Sequence, residues 1–485
     1  MAGRRTLRSG KEFSAFDLAV CRAISPPVPF DAGERLMQRL LEGPFDDDEA
    51  SAEPQPFWMA PLSPAPSLSA TPPLPPAAAA PRALPAVPPP AKERSKIKSR
   101  ARRDKKHEKL RAAAANPALK AVHRRRVSAA KTAALELEVD AAELKHSQSG
   151  WQGSATADKD AFEFCAQQAP HGLETGLGGV QYTQEEVDAL TGTQGFMYIG
   201  WLGRLTIPLL DSQRRVIAIL GGTPRDHAGW KTVTDGAALL LEERQSRLEL
   251  TPEALHHRRA RDAFPAIARG VAHGGGRLEP GEVRQNAMNT RLTDELLAHE
   301  FFQRVMAFAS SLMLLWAPLL SAYYQANNAL LRAWKPSMRW NCVNSVFAAC
   351  TFNFGPRAIT APHLDFANLA WGWCSVTALG NFDPDFGGHL ILWDLHLVVR
   401  FPPGSTLLIP SALIRHSNVP IRRHEKRSSV TQYTAGSLFR WVRNGCMTDD
   451  AFQNSASAEE KLARAAEDAQ RWEEGVKMFS VVDDL

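Results

Sequence analysis

A series of short strand-like runs fills residues 344–436, and this block constrains the fold more than any other part of the chain. The runs contain apolar, β-branched and aromatic residues, and turn signals separate them at Gly355-Pro356, Asp383-Pro384-Asp385, Gly387-Gly388 and Pro402-Pro403-Gly404. Several strands at short, regular spacing are typical of an all-β sandwich or barrel. The sequence therefore predicts a β-rich core in this part of the chain.

Regular elements are also predicted on both sides of this block. Two strand-like runs within residues 196–222 flank Asp211-Ser212-Gln213 and predict a β-hairpin. Helices are predicted near residues 235–247 and 293–334. Ser457 and Glu460 match a capping box at the start of a C-terminal helix. Together these elements predict an α+β fold, in which helices and a hairpin decorate the β-rich core.

Residues 305–331 form an uncharged, largely apolar segment whose length would allow a membrane span. Pro318 and several serines and asparagines dilute its apolar character, and the segment runs into the β-rich block. We interpret it as a buried helix and expect no membrane partner. A membrane-associated protein is the alternative that rests on this segment.

The N-terminal part of the chain differs in composition from the rest. Residues 53–90 are dominated by Pro, Ala and Ser, which cannot build a core, so residues 1–91 are predicted to be disordered. Strong helix formers then predict a basic helical segment over residues 92–150. Within it, residues 92–131 carry sixteen Lys or Arg and three acids, a net charge of +13 in a chain of net charge +5. This asymmetry favours a nucleic-acid partner and a nuclear location, with the segment acting as a binding arm or an import signal.

The six cysteines are scattered along the chain without a CxxC pair. Their spacing predicts neither a disulfide framework nor a structural zinc site, and it fits a reducing intracellular compartment.

His363 and Asp365 lie two residues apart in the run APHLDFAN, and on a β-strand such residues point to the same face. His416 follows Asp365 by 51 residues, at the end of another predicted strand. Two imidazoles and one carboxylate form the facial triad that holds iron(II) and leaves positions open for a co-substrate and dioxygen. An HxD pair alone often occurs by chance, but the presence of all three residues in one β-rich block favours a metal site.

Arg427 opens the strand-like run RSSVTQY, which follows His416. Its guanidinium offers a rigid fork of donors that suits a carboxylate, so we predict that it binds the distal carboxylate of 2-oxoglutarate. Ser429 is expected to share its face of the strand with Arg427, Thr431 and Tyr433, and to assist it. The alternative is that Arg427 is one more charge of the cluster IRRHEKR. Asn353 is a further candidate for the co-substrate, or for capping the next turn.

These motifs resemble those of the TET/JBP dioxygenases, which oxidise methylated pyrimidines, and in particular the branch expanded in fungal genomes. The resemblance is carried by His363-Leu364-Asp365-Phe366-Ala367-Asn368, GGHLILWDL, His416-Ser-Asn-Val-Pro and Arg427-Ser-Ser-Val-Thr-Gln-Tyr. The strongest match covers residues 340–445.

The resemblance implies a double-stranded β-helix, or jelly-roll, core that uses iron(II) with 2-oxoglutarate and dioxygen as co-substrates. It implies His363, Asp365 and His416 as iron ligands. It also implies Arg427, Ser429 and His389 as 2-oxoglutarate contacts, and Asn368 as a contact to a base flipped from the duplex. The sequence departs from the family in having Leu364 where an arginine is usual, and in lacking the cysteine-rich zinc module of the animal enzymes.

The expected organisation has five segments. They are a disordered region (residues 1–91), a basic helical segment (92–150), a helical and hairpin N-terminal extension of the catalytic domain (151–340), the dioxygenase core (341–447) and a C-terminal helix (448–485). The expected reaction is oxidation of the methyl group of 5-methylcytosine or thymine in nucleic acid, with DNA favoured. Because a fold does not fix its substrate, a protein or peptide hydroxylase and a non-catalytic nucleic-acid-binding protein are the alternatives.

Overall fold

The computed structural model describes residues 5–6, 12–13, 133–157, 184–251, 264–342 and 344–485. All of them belong to one unit of the chain, formed by Met1–Gly43 and Ala129–Leu485. Strands β1 (Arg5–Thr6) and β2 (Glu12–Phe13) form an antiparallel pair. The remainder of the predicted disordered region and the basic stretch of residues 92–131 lie outside the described residues.

Two larger sheets occur in the described part of the chain. Their strands are β3 Leu135–Glu136, β4 Met197–Ile199, β5 Ile207–Leu210, β6 Val216–Gly222, β7 Ala266–Ala272, β8 Gly281–Glu282, β9 Ala349–Asn353, β10 Cys374–Asn381, β11 Leu390–Leu392, β12 Leu397–Val399, β13 Thr406–Ile409, β14 His416–Asn418 and β15 Lys426–Tyr433. The large sheet has the order β3-β5-β6-β13-β10-β15-β9-β7-β8, and the small sheet has the order β14-β11-β12-β4.

Helices surround these sheets, so the predicted α+β class is confirmed. They are α1 Gln184–Thr193, α2 His227–Gln245, α3 Ala287–Ala298, α4 Glu300–Trp316, α5 Pro318–Trp334, α6 Gly436–Arg443, α7 Asp449–Ser455 and α8 Ala458–Val476. The predicted capping box forms at the start of α8, where Ser457 and Glu460 each bind the other's backbone N–H. These bonds satisfy N–H groups that a helix start leaves without partners.

The apolar segment of residues 305–331 buries about half of its residues and exposes others such as Leu314 and Leu319, and it forms parts of two helices and not one. Ala317 separates α4 from α5, and Pro318 lies in the first turn of α5, where its missing N–H costs nothing. Within the described ranges, no helix is long and apolar enough to cross a bilayer.

The prediction of a helical segment over residues 92–150 is wrong for residues 133–150, which are the part that the structure describes. Leu135–Glu136 form β3, which pairs parallel with β5. Leu137 and Val139 alternate with acids in the run LELEVD, and both are buried. This period of two suits a sheet edge, where the Leu137 N–H donates to the Leu210 carbonyl, and here it outweighs helix propensity.

The predicted hairpin is confirmed by the antiparallel pairing of β5 with β6. β6 also pairs with β13, so the segment before residue 340 and the β-rich block share one sheet. The predicted N-terminal extension (residues 151–340) therefore contributes strands to the same sheet as the β-rich block.

The large sheet buries one face against α2 and α4. Phe352, Leu379 and Val430 come from three neighbouring strands, β9, β10 and β15, and they pack with Leu241 of α2 and Phe302 of α4. Because side chains alternate along a strand, the neighbours of Val430 on β15 point to the opposite face. That opposite face carries the candidate site.

Candidate metal centre

His363, Asp365 and His416 converge at one point. The backbones of His363 and His416 exchange two hydrogen bonds of 3.1 and 3.0 Å, which brings their ring centroids to 4.3 Å. Nε2 of His363 lies 3.8 Å from Oδ1 of Asp365, and Nε2 of His416 lies 3.9 Å from Oδ2. One potential ligand atom from each residue lies within 4.8 Å of the other two. Two nitrogens and one oxygen at this spacing fit a divalent transition metal.

Each imidazole is oriented by the backbone two residues before it. Nδ1 of His363 lies 2.7 Å from the Ala361 carbonyl, and Nδ1 of His416 lies 2.9 Å from the Ile414 carbonyl. A carbonyl only accepts, so Nδ1 donates to it, and in the neutral ring this leaves Nε2 as the nitrogen that can coordinate a metal. Metal-ligating histidines are commonly fixed in this way by a carbonyl acceptor.

Asp365 lies in a turn that is tied to Ser411. The Asp365 N–H donates to the Ser411 carbonyl, and the Asn368 N–H donates to the Asp365 carbonyl, each at 2.9 Å. The side-chain amide of Asn368 donates to Ser411 Oγ at 3.2 Å, and Asn368 is buried. Asn368 thus lies beside the predicted ligands, and these contacts hold the turn that carries Asp365.

Arg427 presents a buried guanidinium. The residue is 2% exposed, and its Cζ lies 5.9 Å from the ring centroids of both Phe382 and Phe401. One nitrogen donates to the Ala358 carbonyl, while Nε has no hydrogen-bond partner among the residues that the structure describes. Burial lowers the pKa of Arg427 to about 10, and no carboxylate among the described residues opposes this effect. Because a buried cation without an anion is unfavourable, this environment is suited to receive an anionic group.

Other polar side chains lie on the same face of β15, as the alternation predicts. Ser429 accepts a hydrogen bond of 3.0 Å from the side-chain amide of Asn353 on β9. Burial raises the pKa of Tyr433, and the nearby carboxylate of Asp365 raises it further. Tyr433 therefore marks the end of β15 that lies near the triad, and Arg427 lies towards the other end.

His389 is not brought to this face. Val419 donates to the His389 carbonyl and accepts from the Gly388 N–H, so Gly388 and His389 together oppose one residue, as in a bulge. His389 shares the face of Val419, which packs against α1, and its ring lies 5.8 Å from Tyr198. His416 lies three residues before Val419 and points to the opposite face. The structure therefore does not support the co-substrate contact implied for His389.

Burial also sets the ionisation of His389. It lowers the pKa of His389 to about 4, so the ring is neutral at pH 7, and within the described part of the chain Nδ1 has no hydrogen-bond partner. The charged groups that act on this ring are Arg400, Asp385 and Asp188.

Several contributors to the site were not predicted from the sequence. Ser411 anchors the turn that carries Asp365. Cys374 is buried near Asp365, and burial together with that carboxylate raises its pKa. Gly153 donates its N–H to the Phe366 carbonyl at 2.9 Å. The sequence could have indicated Cys374, because it lies in the predicted strand at residues 371–382, where alternation defines the inward face. Ser411 and Gly153 reach the site only through long-range packing, which no local pattern indicates.

Comparisons with known proteins give distant similarities. No protein-family model and no curated protein matches the sequence. One similar solved structure is NgTET1 in complex with 5mC DNA, at a TM-score of 0.35 and 16% identity, covering 50% of this chain and 82% of that chain. Another is an oxidoreductase of the 2OG-Fe(II) oxygenase family from Burkholderia pseudomallei, at a TM-score of 0.25 and 18% identity, covering 40% of this chain and 77% of that chain. Similarity at this level establishes neither family nor activity.

Proposed function

We propose that this chain is an iron(II)- and 2-oxoglutarate-dependent oxygenase. The observation that carries the proposal is the convergence of His363, Asp365 and His416, in which backbone carbonyls hold both imidazoles in the metal-binding tautomer. Two imidazoles and one carboxylate leave coordination positions open, as non-haem iron(II) oxygenases require.

The environment of Arg427 supports 2-oxoglutarate as the co-substrate. A dicarboxylate that binds a metal at one end needs a cation for its other end. Arg427 is buried and charged, and it has no ion-pair partner in the described part of the chain. Ser429 would assist through its hydroxyl proton, because its oxygen already accepts from Asn353.

The order of the strands supports a double-stranded β-helix for the core. In the β-rich block, β9, β10, β13 and β15 belong to the large sheet, and β11, β12 and β14 belong to the small one. The chain thus passes repeatedly between two sheets, as in a jelly roll of eight strands. The isolated bridge between His363 and His416, at the free edge of β14, stands where the eighth strand would lie.

Each residue has a distinct role under this proposal. Bound iron(II), with 2-oxoglutarate and dioxygen, would supply the oxidising power to hydroxylate a C–H bond. His363, Asp365 and His416 would hold the metal, and Arg427 would orient the distal carboxylate. Phe382 and Phe401 flank the guanidinium and exclude water, which strengthens its attraction for that carboxylate.

The substrate we propose is the methyl group of 5-methylcytosine or thymine in nucleic acid, with DNA favoured. Support comes from the motifs that resemble the TET/JBP enzymes and from the net charge of +13 over residues 92–131. A base inside a duplex must be flipped out to reach a metal centre. Nuclear location is part of the same proposal, with the basic stretch as a DNA-binding arm.

Asn368 is the residue we propose next to the flipped base. One of its amide N–H groups already donates to Ser411. The amide can still offer one donor and its oxygen as an acceptor, which is enough for a two-point contact with a base. A peptide hydroxylase is the rival, because the contact with Ser411 would serve any substrate by holding the Asp365 turn.

Mass spectrometry of nucleosides tests the proposal. Full-length protein is incubated with iron(II), 2-oxoglutarate and oxygen, with methylated duplex DNA, methylated RNA or unmodified DNA as substrate. We expect an oxidised pyrimidine from methylated DNA, and none with Asp365→Ala. Consumption of 2-oxoglutarate without any oxidised base would move the substrate to proteins or peptides. No consumption under any condition would refute the oxygenase.

A further inference from the structure

A strap formed by residues 146–153 crosses the turn that carries Asp365. We infer that Gly153 and Arg471 are positioning residues, which act through this strap to set the relative position of the two segments that carry the metal ligands. The inference rests on the proposed metal centre. It concerns residues remote in sequence from the ligands, and neither residue touches the metal itself.

The strap binds the turn directly after Asp365 through successive residues. Gly153 donates its N–H to the Phe366 carbonyl at 2.9 Å, and the side chain of Gln152 donates to the Ala367 carbonyl at 3.1 Å. The Trp151 carbonyl accepts from the Ala370 N–H at 3.2 Å. The backbone that leaves Asp365 is therefore held along its length by the strap.

Gly153 lies where the two ligand-bearing segments meet. A Cβ atom at this position would stand 2.1 Å from the Ala412 carbonyl oxygen and 3.1 Å from Cα of Phe366. Phe366 follows Asp365, and Ala412 belongs to the turn that leads to His416. Both neighbours are backbone and cannot rotate away as a flexible side chain can. Any side chain at position 153 must therefore push these segments apart.

Arg471 of α8 holds the strap from its other side. One guanidinium nitrogen donates to the Ser149 carbonyl at 2.5 Å, and Cζ lies 4.2 Å from the Trp151 ring centroid. The Trp151 ring lies 5.9 Å from that of Trp371, which follows the same ligand turn. Arg471, Trp151 and Trp371 thus form a chain of contacts that joins the C-terminal helix to the segment following Asp365. The cation–π contact and the hydrogen bond both need a cationic donor at this position, and lysine would supply one without the planar fork of arginine.

The first test compares Gly153→Ala with Gly192→Ala in the full-length protein. A Cβ at Gly192 would meet nothing within 4 Å, which makes this variant a matched control. Binding of Mn²⁺ is measured by calorimetry, and the thermal midpoint of the metal-free protein is recorded alongside. Loss of an outer contact to metal ligands weakens metal binding by about 10- to 100-fold. We expect a loss of this size for Gly153→Ala, together with a lowered midpoint from the clash, and neither change for Gly192→Ala.

The second test does not depend on the folding of Gly153→Ala. Arg471→Ala is compared with Arg471→Lys and with Arg464→Ala, a change on the same helix at a residue that binds Asn444 and not the strap. Mn²⁺ affinity should fall for Arg471→Ala, recover in part for Arg471→Lys and stay at the wild-type value for Arg464→Ala. Partial recovery by lysine would show that a cation at the Ser149 carbonyl restores the strap, and Arg464→Ala controls for a general loss of packing on α8.

The outcomes separate this inference from the proposed function. Wild-type Mn²⁺ affinity in both Gly153→Ala and Arg471→Ala would overturn the positioning role and leave the metal centre standing. A wild-type protein that binds no Mn²⁺ would overturn the metal centre, and the positioning role with it.

Discussion

Replacing Arg427 should raise or preserve stability while it removes co-substrate binding. The change is Arg427→Met, which keeps much of the volume and removes the charge. Burial lowers the pKa of Arg427 from 12.5 to about 10, which disfavours the charged form by about 3 kcal/mol. Its hydrogen bond to the Ala358 carbonyl offsets about 1.5 to 3 kcal/mol of this cost. The free energy of unfolding of the ligand-free protein should therefore stay unchanged or rise by up to about 2 kcal/mol.

Arg215→Met is the matched control for this stability change. Arg215 is also mostly buried, but it pairs with the fully buried carboxylate of Asp211 and with Asp140. Removal of one partner from a buried pair leaves an uncompensated charge and costs about 3 to 5 kcal/mol. Urea titrations of the two variants should thus differ clearly in their midpoints.

The affinity of the Arg427 variants for 2-oxoglutarate is measured by calorimetric titration into Mn²⁺-loaded protein. Arg427→Lys keeps a cation but loses the fork, so the affinity should fall by about ten- to a hundredfold, and Arg427→Met should bind more weakly still. The reasoning is refuted if Arg427→Met loses stability as Arg215→Met does and binds 2-oxoglutarate like the wild type. Arg427 would then be a structural cation.

Three further predictions follow from the site and the charge pattern. Asp365→Ala should abolish Mn²⁺ binding in calorimetry, whereas His396→Ala should not, and retained binding in the first variant would remove Asp365 from the ligand set. Burial lowers the pKa of His389 from 6.5 to about 4, so the protein takes up a proton when it unfolds between these pH values. The free energy of unfolding is therefore fully retained above pH 6.5 and falls as the pH drops below it. Urea titrations should show a loss of about 2 kcal/mol from this residue between pH 7 and pH 5, absent in His389→Gln; equal losses in both proteins would contradict the assignment. Deletion of residues 1–131 should weaken DNA binding and make it less dependent on salt, because Lys and Arg release counterions when they bind phosphates. An unchanged salt dependence would mean that the segment is an import signal and not a DNA-binding arm.

The predictions that the structure supports best are those that rest on side chains pointing alternately to the two faces of a strand. On β15, a period of two was enough to place Arg427, Ser429 and Tyr433 on one face and Val430 on the other. These placements need only local backbone geometry, which a single sequence encodes well. His363 and Asp365 come together differently, because His363 forms an isolated bridge with His416 and Asp365 lies in the turn that follows.

The failures came from features that local patterns do not encode. The register that pairs Leu392 with His416 places His389 on the face opposite His416, and a single sequence does not encode that register. The alternation of Leu137 and Val139 favours a strand and the helix propensity of the segment favours a helix, and pairing with β5 decides for the strand. Residues 146–153 carry no motif, because their role depends on contacts with Arg471, more than 300 residues later in the chain.

Formation of succinate from 2-oxoglutarate tests the central claim most directly. Full-length protein and Asp365→Ala are supplied with iron(II), 2-oxoglutarate and oxygen, and succinate is quantified together with oxygen consumption. The metal centre described here predicts that the wild type forms succinate and consumes oxygen in equal amounts, and that Asp365→Ala forms none. Equal succinate from both proteins, or none from the wild type when iron and 2-oxoglutarate are both bound, would contradict the account.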